Sequence, residues 1–318
     1  MTRTDLVAPP PPLFMTLLDA IILGLVEGIT EYLPISSTGH LIIAAALLGL
    51  DTPELKGAVD VFAIVVQGGA ILAVLGLYRA RVIQMLRGLV GRDVVGLRLA
   101  INIMIAFFPA AILGVLLNDL IEEKLFFVGP VVAALALGGV WMIGLDLYHR
   151  RVVDLERLPE DATVADVGGS IDSLSPWQAL AIGLFQCVAM WPGTSRSMMT
   201  IGGGVMLGLR PKAAAEFSFL LGLPTLGGAC VYRLLKDVMA SSAAGGEAGD
   251  AASLSMFETL GWTPILVGVG VATISAALAI KWLIHFLNRH GLAVFGVYRL
   301  ILSAVMLLLV WRGVVALG

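Results

Sequence analysis

The chain has 318 residues, 58% of them hydrophobic and only 14% charged, with a formal net charge of -3; an average soluble domain carries roughly 25% charged residues. With a mean hydropathy of +0.96, it holds more apolar surface than a water-soluble fold can hide. The basic residues gather in short loops rather than in a nucleic-acid-like patch, which argues against a nucleic-acid partner.

In chain order, Met1 to Pro12 is polar and Pro-rich, and the apolar run after it lacks a small-residue cleavage site, so no cleaved signal peptide is expected. Phe14 to Leu50 is apolar but interrupted by Pro34-Ile35-Ser36-Ser37-Thr38-Gly39. Three long spans follow, Val61 to Tyr78, Leu99 to Leu117 and Phe126 to Leu147. A second interrupted region, Trp177 to Leu209, is broken by Pro192-Gly193-Thr194-Ser195-Arg196-Ser197, and then come Ala213 to Leu235, Pro264 to Ile284 and Gly296 to Ala316. The pieces after the breaks, His40 to Leu50 and Met198 to Leu209, are too short to cross a hydrocarbon core of about 30 Å at about 1.5 Å per residue. The expected fold is therefore all-α and integral to the membrane, with six transmembrane helices plus two re-entrant helical hairpins. A barrel would instead show short alternating segments. Cys187 and Cys230 lie in apolar stretches and make neither a disulfide framework nor a zinc site.

The two broken regions match at a constant offset: Gly24-Leu25 with Gly183-Leu184, Glu27 with Gln186, Ser36 with Ser195, and Leu48-Gly49-Leu50 with Leu207-Gly208-Leu209. Each precedes three spans, and an odd number of crossings inverts the second copy. The chain thus reads as a single membrane domain with an inverted-topology repeat, its halves at about 13–147 and 176–316, joined by a cytoplasmic loop 148–175. Arg79, Arg81, Arg87, Arg92 and Arg98, then His149 to Arg151, then Arg210 and Lys212 all fall on the cytoplasmic side of that arrangement. The acidic stretches Asp119 to Glu123 and Glu247 to Glu258, and both termini, fall on the other.

Charge inside a membrane segment is unfavourable by roughly 2.5–3.5 kcal/mol per Asp, Lys or Arg at a helix centre, and so marks function. Here it concentrates at the two breaks. Glu27 and Glu31, spaced i, i+4, share one helix face, with His40 just past the first turn, and Arg196 is the cation of the second. Ser36, Ser37 and Thr38 open one half-helix; Thr194, Ser195 and Ser197 open the other. Two helix N-termini and a guanidinium converging in low dielectric suit a phosphate or diphosphate. The acid pair then either holds a divalent cation that bridges the anion or supplies a proton acceptor. His40 is a candidate general acid or base and Ser37 a candidate nucleophile, with direct attack by water the alternative. Arg196, Ser195 and Thr200 are placed to stabilise charge on the transferred group.

The segments Glu27-Gly28-Ile29-Thr30-Glu31-Tyr32-Leu33-Pro34-Ile35-Ser36-Ser37-Thr38-Gly39-His40 and Pro192-Gly193-Thr194-Ser195-Arg196-Ser197 resemble the two signature segments of the bacterial undecaprenyl diphosphate phosphatases of the bacitracin-resistance type. The resemblance extends over nearly the whole chain, through Glu216 to Leu221 and Tyr298-Arg299. It implies hydrolysis of undecaprenyl diphosphate to the monophosphate and inorganic phosphate, recycling the carrier for cell-wall synthesis and giving bacitracin resistance. It further implies a multi-pass protein of the bacterial inner membrane, a site facing the periplasm, and dependence on Mg²⁺ or Ca²⁺ at Glu27 and Glu31. Ser36, Ser195 and Thr200 fall on positions proposed to bind substrate, and Glu27, Glu31, Ser37, His40 and Arg196 on positions proposed to act in catalysis. Arg299 is a further candidate for substrate contact, although a cation at a span start is more often interfacial or ion-paired. Where the family commonly has Gly-Ala after the second Ser-Arg-Ser, this chain has Met198 and Met199, whose bulk is expected to narrow the site. Expected partners are the polyprenyl diphosphate and membrane lipids, with a homodimer as one assembly. The competing reading is a transporter or flippase of the polyprenyl phosphate carrier, since inverted repeats with broken helices are a transporter design; a transporter, however, does not need acids, a His and a Ser around one anion site.

Overall fold

The computed structural model describes residues 15–125, 127–152, 168–244 and 260–315. Among these the chain is helical throughout, with one 3-10 turn at Ile171–Ser173 and one isolated backbone bridge between Gly169 and Leu209. The α-helices are α1 Leu17–Thr30, α2 Ser37–Leu48, α3 Pro53–Leu77, α4 Arg79–Leu89, α5 Val94–Leu125, α6 Val128–Val152, α7 Pro176–Val188, α8 Arg196–Met206, α9 Pro211–Ala244, α10 Trp262–Leu287 and α11 Ala293–Trp311. Six of them, α3, α5, α6, α9, α10 and α11, are long and apolar enough to cross a membrane, and they match the six spans expected from hydropathy. Several expectations lie outside the described residues: the Pro-rich N-terminus, residues 153–167 of the loop 148–175, the acidic stretch Glu247 to Glu258, and the end residues Phe126 and Ala316 of two expected spans.

The broken regions give four short helices, of which the longest, α1, has 14 residues, or about 21 Å of length. Both pairs begin alike. Thr16 and Asp19 form a reciprocal capping box at the start of α1, as Ser175 and Gln178 do at the start of α7. Each second helix is capped by a serine at positive φ: Ser36 (φ 74°, ψ 101°) accepts from the Gly39 N–H, and Ser195 (φ 74°, ψ 117°) from the Met198 N–H. These are the two non-glycine residues with positive φ among those described, at the same separation as the capping boxes. A backbone conformation this sparsely populated is unfavourable by about 1–3 kcal/mol and persists only where its surroundings impose it.

The halves interlock. Helix α1 lies along α10, α7 along α5, and α6 along α11. Small residues permit the first two approaches: a Cβ on Gly24 would fall 2.7 Å from the Gly268 carbonyl oxygen, and one on Gly183 would fall 2.5 Å from that of Ala106. At one end, two of the basic regions meet the 168–173 segment. Arg81 pairs with Glu216 (2.8 Å) and Asp172 (3.0 Å), Gly169 N–H donates to the Gly208 carbonyl and Arg210 N–H to that of Gly169.

One element departs from expectation. The basic stretch after the first span, read as loop from its charge, forms helix α4, which turns Val82 and Met85 toward the core and leaves Arg79, Arg87, Ile83 and Leu86 at the surface. Apolar residues alternating with arginines lower the mean hydropathy of the window but keep a helical stripe.

Packing between α1 and α10 is closest at Gly28, where a Cβ would fall 2.0 Å from Ser275 Oγ and 2.5 Å from the Ala272 carbonyl oxygen. Gly28→Ala is expected to push α1 from α10 and lower stability by about 1–3 kcal/mol, read as a drop in the thermal unfolding temperature in detergent. Gly76→Ala, where a Cβ meets nothing within 4 Å, should leave it unchanged.

Candidate active site

The turn after α1 and the turn after α7 meet. Ser197 Oγ, in the first turn of α8, donates to the Leu33 carbonyl (2.8 Å), which fixes one turn on the other. Across the junction Arg196 Nη2 lies 3.4 Å from Glu31 Oε1, with both side chains almost wholly buried (10% and 6% exposed). The second guanidinium donor, Nη1, reaches the Ser218 carbonyl in α9 (2.9 Å), and Nε has no partner. The Tyr32 ring lies beneath the guanidinium at 5.6 Å and is itself anchored by a hydrogen bond from its hydroxyl to the Ala70 carbonyl (3.1 Å) and edge-on by Phe219. Gly222 leaves room for the guanidinium, since a Cβ there would fall 3.2 Å from Nη1 and Nη2.

The carboxylate of Glu31 is shared. Its Oε2 accepts from Ser37 Oγ (2.8 Å) and from Gln67 Nε2 in α3 (3.3 Å). A cavity of about 160 Å³ opens between the two turns. Glu31, Gln67, Ser36, Ser37 and Thr38 line one side; Pro192, Gly193, Ser195 and Arg196 line the other, with Ala189 and Leu226 between. Each serine cap satisfies the third N–H of its helix, so by helix geometry the first two N–H groups of α2 and of α8 have no intrahelical acceptor. The cavity therefore receives two positive helix ends and one guanidinium, beside the Glu31 carboxylate and the hydroxyl-bearing residues Ser36, Ser37, Thr38 and Ser195.

Of the nine expected site residues, Glu31, Ser36, Ser37, Ser195 and Arg196 line this cavity. The other four stand behind its wall. Glu27 lies one turn back on α1, buried, and neither carboxylate oxygen has a hydrogen-bond partner. Thr200 is fully buried; its hydroxyl donates to the Arg196 carbonyl (2.8 Å) and bonds Ser218 Oγ (2.6 Å), so it braces the residues that hold the guanidinium. His40 has both ring nitrogens engaged, Nδ1 with the Ser36 carbonyl (2.7 Å) and Nε2 with the Tyr298 hydroxyl (2.6 Å). Arg299 is fully buried and donates from Nη2 to the carbonyls of Gly193 (2.8 Å) and Ala134 (3.0 Å). Met198 and Met199 turn into the core and do not line the cavity, so the bulk they add fills interior space. Glu216 is ion-paired with Arg81.

Sequence reasoning passed over Gln67, Tyr32 and Ser218. A lone amide in the apolar run Val61 to Tyr78 was a legible signal for Gln67, because an unpartnered polar group inside a membrane span is unfavourable. Tyr32 lies within the first signature and carried no charge to mark it. Ser218 acts through its carbonyl, which any residue could supply.

Among the described residues no group of three or more His, Cys, Asp or Glu side chains comes together as a metal centre. What the site offers a divalent cation is the Glu27–Glu31 pair with the Gln67 amide and the Ser37 hydroxyl beside it. The orphaned Glu27 carboxylate is the feature that fits a cation, and two carboxylates completed by water and phosphate oxygens is a usual Mg²⁺ environment.

The chain is also similar to known proteins along most of its length. Residues 20–305 match the family model described as bacitracin resistance protein BacA. An undecaprenyl-diphosphatase of Sorangium cellulosum is 43% identical over 91% of this chain and 85% of its own length. One of Methylibium petroleiphilum is 41% identical over 94% and 97%, and one of Acinetobacter baumannii 41% identical over 91% and 94%. With the family model covering most of its length and both signature turns lining one cavity, the chain belongs to the bacitracin resistance protein BacA family.

Proposed function

We propose that this chain hydrolyses undecaprenyl diphosphate to undecaprenyl phosphate and inorganic phosphate, with the diphosphate seated in the cavity between the N-termini of α2 and α8. The observation that carries the reading is the Glu31–Arg196–Ser37 cluster: a base, a cation and a hydroxyl within one hydrogen-bonded set beside two open helix ends. The names of the relatives supply the substrate.

The arrangement divides the chemistry among few groups. Arg196 and the N–H groups of α2 and α8 hold the phosphoryl oxygens and stabilise the charge that spreads over them in the transition state. At 3.4 Å, Arg196 rests on Glu31 more loosely than the ~2.7–2.9 Å of a tight charge-assisted bond, and so can exchange that contact for phosphate. Ser37 Oγ attacks the terminal phosphorus, its proton passes to Glu31 Oε2, and the bond from that phosphorus to the bridging oxygen breaks, releasing undecaprenyl phosphate. Glu31 hands that proton to the departing undecaprenyl phosphate; water then attacks the phosphoseryl group and gives a proton to Glu31, which returns it to Ser37 Oγ as the serine–phosphorus bond breaks, freeing inorganic phosphate and Ser37. His40, whose ring nitrogens are both engaged away from the cavity, supports the turn in this scheme rather than moving the proton. Glu27 and Glu31 would hold a Mg²⁺ or Ca²⁺, which when bound would neutralise charge on a diphosphate that the two carboxylates alone would repel.

The membrane arrangement follows the same reading. Helices α1–α2 and α7–α8, too short to span and capped alike, act as re-entrant hairpins of an inverted-topology repeat. The end where Arg81, Arg210 and the 168–175 segment meet is cytoplasmic by its excess of basic residues. The cavity and both termini then belong to the periplasmic side, and irregular backbone at membrane depth is accommodated because it lines a polar cavity.

Purified protein in detergent is expected to release phosphate from a polyprenyl diphosphate in the presence of Mg²⁺ or Ca²⁺; no release by the wild type would sink the enzyme reading. Arg196→Ala and Glu31→Gln should each lower kcat by about 10²–10³-fold, and Ser37→Ala should abolish a phosphoprotein trapped by rapid acid quench. Chelation should remove activity reversibly, and Glu27→Gln should raise the metal concentration needed for half-maximal rate. Movement of lipid across vesicles that survives Arg196→Ala would establish a separate transport role.

A further inference from the structure

Ser36 and Ser195 hold a backbone conformation that side-chain-bearing residues avoid, and each sits at the mouth of a helix whose first N–H groups face the cavity. Something must impose it. The neighbours of both turns lead to the same place, two consecutive residues of α11. Tyr298 bonds His40 Nε2 through its hydroxyl at 2.6 Å, with the two rings nearly parallel (7°) and their centroids 5.6 Å apart. His40 Nδ1 in turn meets the carbonyl of Ser36 itself. A carbonyl only accepts, so Nδ1 carries the hydrogen and a neutral ring accepts at Nε2 from the tyrosine. The next residue, Arg299, sends Nη2 to the carbonyl of Gly193, which has φ 92° and lies two residues before Ser195.

Neither side chain lines the cavity, and Arg299 is held in a costly place. Arg299 is fully buried, its Nε and Nη1 have no partner, and no acidic side chain pairs with it among the described residues. Such a buried cation is unfavourable for stability. Space is also reserved for it: a Cβ on Gly138 would fall 2.5 Å from Nη2. The same guanidinium nitrogen ties α6 through Ala134, so the second turn is bound to both members of the α6–α11 pair.

We infer that Tyr298 and Arg299 are positioning residues, through which α11 sets the two catalytic turns at a fixed distance and orientation: Tyr298 through His40 on the first, Arg299 directly on the second. Consecutive helix residues point about 100° apart, so one rigid helix reaches two separate turns with one dipeptide. Its consequence is kinetic. A displacement of about 1 Å between reacting groups removes up to about 10²-fold in rate, while the groups that contact substrate stay in place.

The kinetic arm of the test rests on the hydrolysis reading; hydrogen exchange does not. In wild type, Tyr298→Phe, Arg299→Met and Arg299→Lys, exchange would be followed by mass spectrometry over 33–40 and 190–198, beside kcat and KM for a polyprenyl diphosphate. Tyr298→Phe should speed exchange in the first stretch alone and Arg299→Met in the second alone. Each should lower kcat about tenfold with KM within about twofold, and Arg299→Lys, which keeps a donor for Gly193, should recover most of the loss. Combining Tyr298→Phe with His40→Gln should be no worse than His40→Gln alone, because both break one chain of contacts. The lipid-facing control Val297→Ala should match wild type. Unchanged exchange at both turns, losses that multiply across Tyr298 and His40, or a rise in KM alone would overturn the proposal. If wild type releases no phosphate the hydrolysis reading fails, and exchange still decides the clamp.

Discussion

The Glu31–Arg196 contact is the constraint on which the rest of the arrangement depends. It joins the end of α1 to the start of α8, residues 165 apart in the chain, in a place almost closed to water. Removing two charges from water is offset only by good geometry and further hydrogen bonds, and leaving one of such a pair alone is unfavourable by about 3–5 kcal/mol. The surroundings supply those bonds: Ser37 and Gln67 on the carboxylate, the Ser218 carbonyl and the Tyr32 ring on the guanidinium. Helices α1, α2, α3, α8 and α9 are therefore bound into one junction by polar contacts, within a bundle whose outer surface is apolar.

That junction also makes sense of the glycines around it. Gly222 clears a volume for Arg196 and Gly138 one for Arg299, while Gly24, Gly28 and Gly183 bring the short helices close to α10 and α5. In lipid there is no hydrophobic drive between helices, so close backbone approach and interhelical hydrogen bonds hold the assembly together. Seen this way, glycine and polar side chains are the two halves of one solution. Glycine lets the helices come near enough for the short polar side chains to reach.

The membrane class, the six spans, the two breaks and the acid-against-cation arrangement were legible in the sequence because each rests on a one-dimensional signal: an apolar run of sufficient length, a Pro or Gly interrupting it, a charge where charge is unfavourable. Helix α4 was hidden because its arginines masked an amphipathic stripe from a hydropathy average. The contacts of His40, Thr200 and Arg299 were hidden for a different reason. Which way a side chain points at a helix start depends on the backbone of the residue before it, and the positive φ of Ser36 and Ser195 has no compositional signature, since serine rarely adopts it. Proximity in sequence correctly gathered His40 with the acids, but the ring turns toward α11 and away from the cavity. Gln67 and Ser218 arrive from other helices, and only the packing of α3 and α9 brings them in.

The two turns also show how similar backbones carry unlike chemistry. Ser36 and Ser195 share φ, cap geometry and position relative to the capping boxes at Thr16 and Ser175. The residue that follows each cap is the first of its helix, and it faces the same cavity: Ser37 on one side and Arg196 on the other. One turn earlier the correspondence puts Glu27 opposite Gln186, an acid opposite an amide. Equivalent backbone sites thus present a hydroxyl beside carboxylates from one half and a guanidinium from the other. In the proposed reaction, a phosphoryl group lying between them meets Ser37 and Glu31 on one face and positive charge on the opposite face. Two identical turns could bind an anion between their helix ends but could not also polarise it in one direction; in the proposed reaction it is the divergence at the position after each serine that turns an anion cradle into a site for displacement at phosphorus.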